Sequence, residues 1–472
     1  MALLTRLPPE VLQQILLRAH DGFERHRLAG FSPPLGRHEL KGINHRRNLC
    51  ALRRVNRKLC ELVTPLLFQH IVITCSSGVL RLQQLSRHPR LRRLVRRLEI
   101  CVEVRPVNDF SSFWAKIEKN KKKNLKYLAR LAVVIHTTLP RFSDIKILKL
   151  DFDDISYDTS REIDVWPPAC CYVQDTANLF ESFATAMRRS RLDMLDEVDL
   201  SLPLAYDFHY FLDDEQGDTE AHTASALLQR LKYLSLHYGH STDDGEGVEF
   251  RYLQPNVEYD KYIRELLPLA RNIHTLKLKG SDVMVLDQSA LSPLRLRSLD
   301  LQSLSVTGEA LVSVFQNSLA LEEAILKGVY LESGNWRDIL TAMNQPQIIS
   351  FEIETCGYQI EGLSAHIRPA YDMEKPDHPY IETNEAGDLD ACYALFSRVR
   401  ENKRRIYGSD YDEAADLERE RTERELIEFK AELVKEWAKR QAAAEEAEED
   451  DSGSSFTFGE TRSSEEEESD NE

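Results

Sequence analysis

The sequence predicts an α/β protein in which a small helical module precedes a curved solenoid of strand–helix repeats and an acidic tail without a core. Two stretches within the first 73 residues have apolar side chains at helical spacing. An apolar-x-x-apolar-x-apolar pattern recurs eight times from residue 95 to residue 353. Residues 441–472 hold 13 acidic side chains against Arg462 alone, which predicts disorder at this end.

Composition limits the classes to which the chain can belong. Its 472 residues, 42% of them hydrophobic, suffice for two or three domains with sizeable cores. No run of eighteen apolar residues occurs, and Arg6 and Pro8-Pro9 interrupt the apolar start, so neither a membrane span nor a signal peptide is expected. The eight cysteines are scattered without a Cys-x-x-Cys pair, and they are expected to be free thiols of a cytoplasmic and/or nuclear protein.

The first helical stretch begins at Leu7. Pro8 or Pro9 suits the opening turn of a helix, where no amide donor is needed, and Glu10 lies beside the positive helix end. The apolar side chains that follow share one helix face: Val11, Leu12, Ile15 and Leu16.

The second helical stretch runs from residue 49 to residue 71. Its apolar positions repeat at intervals of three and four, at Leu52, Val55, Leu59, Leu62 and Val63. Thr64-Pro65 is expected to end this helix. So small a unit cannot bury all of its apolar side chains alone. The periodicity leaves two solutions open, namely a partner helix in its groove or docking on the rest of the chain.

The two stretches, LPPEVLQQIL and LCALRRVNRKLCELVTPLLFQHI, together resemble an F-box in the form common in fungal proteins. The resemblance implies that residues 1–75 bind the Skp adaptor and, through it, the cullin–RING part of an SCF-type ubiquitin ligase. It also implies an adaptor-binding site made of two groups of residues. The adaptor-facing start comprises Leu7, Pro8, Pro9, Glu10, Leu12 and Ile15, and the supporting helices contribute Leu52, Val55, Leu59, Leu66 and Leu67.

The chain departs from the family pattern in two places. Asn56 and Leu59 stand in the region where many F-boxes have a Cys and a Trp. An insert at about residues 21–48 separates the two stretches by more than the usual short loop, and its glycines and prolines predict a surface excursion. Four histidines and Cys50 lie in or beside the insert, but their spacing matches no zinc module, so no metal site is predicted.

The middle of the chain contains eight copies of the six-residue pattern, each with three apolar positions. The triplets are Val95/Leu98/Ile100, Ile145/Leu148/Leu150, Leu195/Val198/Leu200, Leu231/Leu234/Leu236, Ile273/Leu276/Leu278, Leu296/Leu299/Leu301, Leu321/Ala324/Leu326 and Ile348/Phe351/Ile353. The last three spacings are 23, 25 and 27 residues, within the window of leucine-rich repeats. The earlier spacings of 50, 50, 36 and 42 indicate repeats with insertions.

One unit, LRSLDLQSLSVTGEALVSVFQNSLALEEAIL, can be followed from end to end. Leu299 and Leu301 are expected to point inward from a short strand, Thr307-Gly308 to form a turn, and residues 309–317 to form the returning helix. Each unit leaves an apolar side that only its neighbours can cover, so the units are expected to stack into a solenoid over residues 76–365. This part resembles the leucine-rich-repeat domains often found after an F-box. A doubly wound α/β domain is the alternative, but no GxGxxG loop is present.

Three excursions between the early repeats are rich in Asp, Glu, Gly and Tyr, at residues 151–171, 207–222 and 237–259. Their carboxylates lack the EF-hand order, so flexible acidic loops on one rim are predicted rather than a calcium site. These loops and the concave strand face are the expected surface for a protein substrate, although the sequence singles out no contact residues.

Enzyme motifs are missing from the sequence, which has no GxSxG, no HExxH and no kinase-like set. We therefore predict a non-catalytic subunit without catalytic residues, metal or cofactor. Two basic runs, residues 87–97 and 116–126, raise nucleic-acid binding as a rival. The near absence of aromatic residues among these basic residues disfavours nucleic acid and favours a solvated basic face.

The C-terminal part is predicted in three segments. Residues 366–410 form a cover and cap with a helix from Leu389 to Ile406, residues 411–444 a charged helix, and residues 445–472 a disordered acidic tail. In the tail, Ser463, Ser464 and Ser469 each have an acidic residue three positions later, a pattern favoured by acidophilic kinases.

The function predicted for the whole chain is substrate recognition for an SCF-type cullin–RING ubiquitin ligase, with no membrane involved. The alternative is a non-catalytic leucine-rich-repeat interaction scaffold that acts without a cullin.

Overall fold

The computed structural model describes residues 48–74, 76–102, 113–152, 173–202, 205–212, 224–238, 261–280, 285–358 and 385–414, with isolated positions at 381, 383, 416–418, 421 and 439. At 113–121, 173–175, 386 and 410 it describes the backbone alone. The first helical stretch, most of the insert, most of the charged helix and the acidic tail lie outside the described residues.

Eleven parallel strands form one open sheet in the described part of the chain. The strands are β1 (His70–Ile73), β2 (Arg97–Val102), β3 (Ile147–Phe152), β4 (Glu197–Leu202), β5 (Tyr233–Tyr238), β6 (Thr275–Lys279), β7 (Val285–Leu286), β8 (Ser298–Thr307), β9 (Glu323–Ser333), β10 (Ser350–Glu354) and β11 (Gly357–Tyr358). The sheet order follows the chain from β1 to β6 and then β8, β9 and β10, while β7 pairs with β8 and β11 pairs with β9.

Helices precede the sheet, link its strands and follow it. They are α1 (Arg57–Gln69), α2 (Ser76–Arg87), α3 (Pro89–Arg92), α4 (Phe113–Thr138), α5 (Val173–Arg189), α6 (Ala224–Leu228), α7 (Lys261–Leu269), α8 (Gln288–Leu291), α9 (Gly308–Asn317), α10 (Trp336–Met343) and α11 (Ala386–Tyr407). The predicted α/β class is confirmed at this level, as a mixed fold with a parallel sheet that does not close. Among the described helices, none combines the length and apolar character that a bilayer crossing needs.

A ladder of shared backbone carbonyls fixes the register where each strand begins. The amides of Lys146 and Ile147 both donate to the carbonyl of Arg96, at 2.7 and 3.0 Å. The same pair of bonds recurs at each later crossing between main strands. Its acceptors are the carbonyls of Lys146, Asp196, Lys232, His274, Arg297 and Glu322. These positions are separated by the same 50, 36, 42, 23 and 25 residues as the apolar triplets, so every predicted repeat begins a strand at one register.

The sheet buries one face. Two inward rows of side chains pack against the helices, one running Ile71, Leu98, Leu148, Val198, Leu234, Leu276, Leu299 and Ala324, and the other Ile73, Ile100, Leu150, Leu200, Leu236, Leu278, Leu301, Leu326 and Ile353. Burial of each leucine or isoleucine contributes roughly 1.5–3 kcal/mol relative to exposure. Of the 24 predicted triplet positions, Phe351 alone is only half-buried. The side chains between the two rows face the other way, because strand residues alternate.

The helix predicted over the second N-terminal stretch has different bounds. A helical segment at residues 48–53 ends in a turn at 54–55, and Asn56 then caps α1 by accepting from the amide of Leu59 at 2.8 Å. The predicted stop at Thr64-Pro65 is wrong, because Pro65 lies inside α1. Proline removes only the bond to the carbonyl of Glu61 on an exposed side, and the helix continues to Gln69.

The same region supplies a strand that the sequence analysis did not predict. β1 follows α1 directly and forms the edge of the sheet, with Ile71 paired to Leu98 and Ile73 to Ile100. The boundary predicted at residue 75 therefore falls after the first strand of the sheet.

One predicted excursion begins as part of the core. The excursion predicted at residues 207–222 starts inside a short 3-10 helix, residues 205–211, in which Phe208 and Phe211 are buried. Asp207, which was assigned to a flexible rim, is itself only 1% exposed. The prediction of a rim loop is wrong at these residues because two buried phenylalanines outweigh the acidic neighbour. Most of the other excursion residues lie outside the described parts of the chain.

Helix α11 covers the last repeats, as predicted for residues 389–406, but with a different buried side. The sequence predicts Leu389, Tyr393, Leu395 and Phe396 as the apolar residues of this helix. Its buried residues are instead Asp388, Cys392, Leu395, Val399 and Asn402, and Tyr393 is 38% exposed. The Asp388 carboxylate accepts from the amide of Arg337 at 2.8 Å and from the hydroxyls of Tyr358 and Thr383, each at 2.7 Å. One carboxylate thus joins α11 to α10 and β11.

Replacement of Asp388 by Ala is expected to lower the free energy of unfolding by about 2–4 kcal/mol, since three hydrogen bonds to a buried charge are lost. Denaturant titration of the full chain measures the change. Asp390→Ala is the matched control, because Asp390 lies on the same helix and is exposed. Equal midpoints for the two variants would contradict this role of Asp388.

Candidate functional site

The outward face of the sheet is the most extensive polar surface that the described strands build. Three rows of aligned side chains cross it, each row one side chain from every successive strand. The first row is His70, Arg97, Ile147, Glu197, Tyr233, Thr275, Ser298, Glu323 and Ser350. The second is Val72, Glu99, Lys149, Asp199, Ser235, Lys277, Asp300, Ile325 and Glu352, and the third is Cys101, Asp151, Ser201, His237, Lys279, Gln302, Lys327 and Glu354. We call this surface the open face.

At the β1 end of the open face, Glu99 is held between two cationic or protonatable groups. Its Oε1 lies 2.6 Å from Arg97 Nε and 3.0 Å from His70 Nε2. The Glu99 side chain is only 4% exposed. Because a buried carboxylate is stable only when paired, this group fixes the edge of the face rather than offering a free charge to a ligand.

On β3 and β4, Lys149 lies between two carboxylates. Its Nζ is 3.0 Å from Asp151 and 3.5 Å from Asp199. Burial alone would lower the pKa of Lys149, but the two carboxylates outweigh it and hold the pKa above its ordinary value. Lys149 therefore stays charged and ties two strands together across the surface.

The centre of the face, on β4 and β5, carries hydroxyl, phenol and imidazole groups together with the carboxylates of Glu197 and Asp199. In the third row Ser201 Oγ lies 3.0 Å from His237 Nδ1, and in the first row Tyr233 is half-buried and paired with Glu197. Burial and then the charge of Asp199 raise the pKa of Tyr233, so its phenol stays protonated. Burial likewise raises the pKa of Glu197, against the opposing effect of Arg97. This centre offers hydroxyl and imidazole groups to a polar partner.

At the β10 end the pairing of charges resumes. Lys327 Nζ reaches Glu352 at 2.5 Å and Glu354 at 3.3 Å, and Ser298 donates to Glu323 at 2.7 Å. Desolvation opposes the charge on Lys327, but the two glutamates raise its pKa. The face thus ends in an acidic excess, with Glu352 and Glu354 on Lys327 and Glu323 on Ser298.

These features suit recognition of a protein surface more than small-molecule chemistry. The described residues include no group of three His, Cys, Asp or Glu side chains placed to hold a metal ion. An apolar cavity of about 20 Å³ lies behind the sheet, lined by residues that include Met187, Phe211 and Leu266. It is about the size of one water molecule and lies on the side of the sheet opposite the open face.

The predicted adaptor-binding residues divide into three groups. Leu7, Pro8, Pro9, Glu10, Leu12 and Ile15 lie outside the described residues. Leu59, Leu66 and Leu67 are buried, at 4%, 9% and 7% exposure, and Leu52 is half-buried. Val55, at 41% exposure, lies in the turn before α1. The buried leucines can support a binding surface, whereas Val55 can form part of one.

A small hydrophobic cluster holds this N-terminal unit together. Leu49, Val63, Leu66 and Leu67 form it, separately from the main core behind the sheet. Phe68 packs against both clusters. The two bodies of apolar side chains therefore meet at one aromatic ring, immediately before β1.

Two cysteines of the repeat region are poor nucleophiles. Cys356 and Cys392 are buried, and burial raises the pKa of each thiol to about 12. Cys60 differs, since hydrogen bonds from Arg53 and then Thr64 lower its pKa. Cys50 is exposed. None of these thiols forms a disulfide in the described part of the chain.

Sequence reasoning located the open face without identifying its residues. The signal was present, because each outward residue of the second row is the single residue between the last two apolar positions of a triplet. Lys149, for example, lies between Leu148 and Leu150. The pairing of Lys149 with Asp199, 50 residues away, depends on the strand register and has no local signal.

Searches against family models and curated proteins found no match to this chain.

We expect thiol reactivity to follow burial. With a maleimide at pH 8, Cys50 and Cys60 should react about a hundredfold or more faster than Cys356 and Cys392, because the thiolate is the reacting species. Site-resolved mass spectrometry of the folded chain measures the four rates, and equal rates would contradict the burial described above.

As the pH rises above 9, the unfolded chain would release the protons of the two buried thiols before the folded chain does. Their contribution to stability is therefore complete below pH 9 and lost towards pH 12.

Proposed function

We propose that this chain is the substrate-recognition subunit of an SCF-type cullin–RING ubiquitin ligase. In this proposal residues 1–75, resembling an F-box, bind the Skp adaptor. The following strand–helix units act as a leucine-rich-repeat solenoid that binds a protein substrate. The chain itself performs no chemistry and raises the effective concentration of substrate near the charged conjugating enzyme.

The observation that carries the proposal is the junction between the N-terminal unit and the sheet. A small helical unit with its own apolar cluster leads directly into the edge strand β1. This arrangement suits a receptor, because the unit that binds the ligase and the sheet that binds the substrate share Phe68 and the α1–β1 connection. A rigid connection favours transfer by limiting the positions that a bound substrate can occupy.

The open face supports the substrate half of the proposal. Its nine main strands present aligned polar side chains over a width of about 38 Å, at about 4.8 Å per strand. Paired charges on β3 and β9 and hydrogen-bonding groups at Ser201, Tyr233 and His237 favour a folded protein surface or an extended polypeptide over an apolar ligand. A repeat scaffold that acts without a cullin would use the same face.

The exposed and buried positions of the N-terminal unit are expected to behave differently. Val55→Asp should weaken adaptor binding about tenfold or more without changing stability, because Val55 is exposed. Leu67→Ala should lower the free energy of unfolding by about 2–4 kcal/mol, because it opens a cavity in the small cluster. Adaptor titration and denaturant unfolding of the full chain separate the two effects. Unchanged binding of the Val55→Asp variant would remove Val55 from the adaptor-binding surface.

Adaptor binding itself is tested by pull-down of the full chain with the Skp adaptor and cullin. The Leu7→Ala/Pro8→Ala/Ile15→Ala variant is expected to lose both partners. A variant with three exposed apolar residues truncated elsewhere, Val133→Ala/Met194→Ala/Leu319→Ala, is the matched control and should retain both.

Three results of this experiment count against the proposal in different ways. Recovery of adaptor without cullin would favour the scaffold alternative. Failure of the folded wild-type chain to bind the adaptor would remove the ligase function altogether. Retention by the first variant would show that the predicted start of the site is wrong.

A further inference from the structure

Among the described residues, the helices beside β1 and β2 carry a cluster of positive charge with few acidic neighbours. Between residues 76 and 96 the described side chains include six arginines and no acid. Arg96 lies 3.6 Å from Asp144, and the other five form no ion pair within the described residues. These five are Arg81, Arg87, Arg90, Arg92 and Arg93.

Helix α4 extends the same charge, since it packs against α2. Its described side chains, residues 122–138, again include no acid, and Lys123, Lys126 and Arg130 are exposed. We call the five arginines and these three residues the basic surface. Seven of its eight members are exposed, and Arg92 is half-buried.

Each of the other charged helices among α1 to α11 in the described part of the chain includes at least one acidic residue. On α10, Arg337 lies 4.0 Å from Asp338, and on α11, Arg398 lies 2.9 Å from Glu401. The basic surface is therefore a local feature and not a general property of the helical side. Clustered like charges repel each other, so an anionic occupant would stabilise this region.

The chain contains a polyanion of matching character. Residues 441–472 hold 13 acidic side chains and one arginine, which gives a charge of −12. The length of the chain allows the two to meet. Twenty-six residues lie between Glu418 and Glu445. They span about 39 Å as the predicted helix, at about 1.5 Å per residue, and up to about 90 Å when extended. The sheet between α11 and the basic surface is about 38 Å wide by strand spacing.

We propose that the acidic segment at residues 445–472 binds the basic surface of the same chain. Attachment through one chain gives the segment an effective concentration on the order of millimolar, so many weak charge contacts suffice for occupancy. The bound segment shields the arginines from other polyanions. Phosphorylation of Ser463, Ser464 or Ser469 would add about 1.5–2 negative charges per site and tighten the contact.

The test is zero-length carbodiimide crosslinking of the full chain, which joins carboxylates to lysine amines that are in direct contact. At low salt we expect crosslinks from residues 445–472 to Lys123 and Lys126. They should disappear in 0.5 M NaCl, where the screening length is only a few ångströms. Mixing isotope-labelled with unlabelled chains identifies whether each crosslink forms within one chain or between two.

Matched variants separate the basic surface from general charge. Arg87→Gln/Arg90→Gln/Arg93→Gln should reduce these crosslinks about tenfold, because polyanion binding falls steeply as cations are removed. The control, Arg191→Gln/Arg271→Gln/Arg295→Gln, removes three exposed arginines from the helix-to-strand corners of later repeats and should leave the crosslinks unchanged.

Several outcomes would overturn the proposal. These are the absence of the crosslinks at low salt, equal loss in the two triple variants, and crosslinks formed only between chains. A further measurement is the affinity of the chain for single-stranded RNA, with and without replacement of Glu465, Glu466, Glu467 and Glu468 by Gln. If the wild-type chain binds RNA and the replacement leaves that affinity unchanged, the acidic segment does not cover the basic surface.

Discussion

The shared carbonyls at the strand starts are the constraint on which the rest of this structure depends. Each of them, from Arg96 to Glu322, accepts two amides of the following repeat and so holds neighbouring strands at one register. A shift by one residue would turn the inward leucines outward, because side chains alternate along a strand. Burial of the two apolar rows and exposure of the polar rows therefore follow from one backbone arrangement. Burial of the apolar rows supplies most of the stabilisation, and the register fixed by the shared carbonyls determines which side chains are buried.

The open face is polar because the same register turns its side chains away from the core. Its side chains come from positions that cannot enter the core, so their chemistry is free to vary. In this chain many of them are paired: Lys149 with Asp151 and Asp199, and Lys327 with Glu352 and Glu354. Pairs of this kind, about a quarter to three-fifths exposed, contribute little to stability. They fix side-chain positions and leave the hydroxyl and imidazole groups of Ser201 and His237 on the open face.

Much of the fold could be predicted from the sequence, because the apolar triplets are local and their spacing is preserved in the sheet. The errors arose where a local signal had two explanations. Phe68, Ile71 and Ile73 have the same spacing as the other triplets, but they were assigned to the end of a helical module, so β1 was not predicted. Pro65 was taken as a helix end, although an exposed proline removes one bond that solvent replaces. The contacts of Asp388 and Lys149 were beyond sequence reasoning, because each joins residues about 30 to 50 positions apart.

The connections at the two edges of the sheet, where the strands begin and where they end, differ in length. Helix-to-strand corners are short throughout, for instance four residues between α6 and β5 and five between α9 and β9. Strand-to-helix connections range from none between β8 and α9 to twenty-seven residues between β11 and α11. Within the sheet region, the longest connections thus lie beyond the carboxyl ends of the strands, away from the shared carbonyls. In evolutionary terms, this edge can lengthen, shorten or exchange its loops while the repeat frame persists. A designer who grafts a new recognition loop onto this scaffold would choose the same edge.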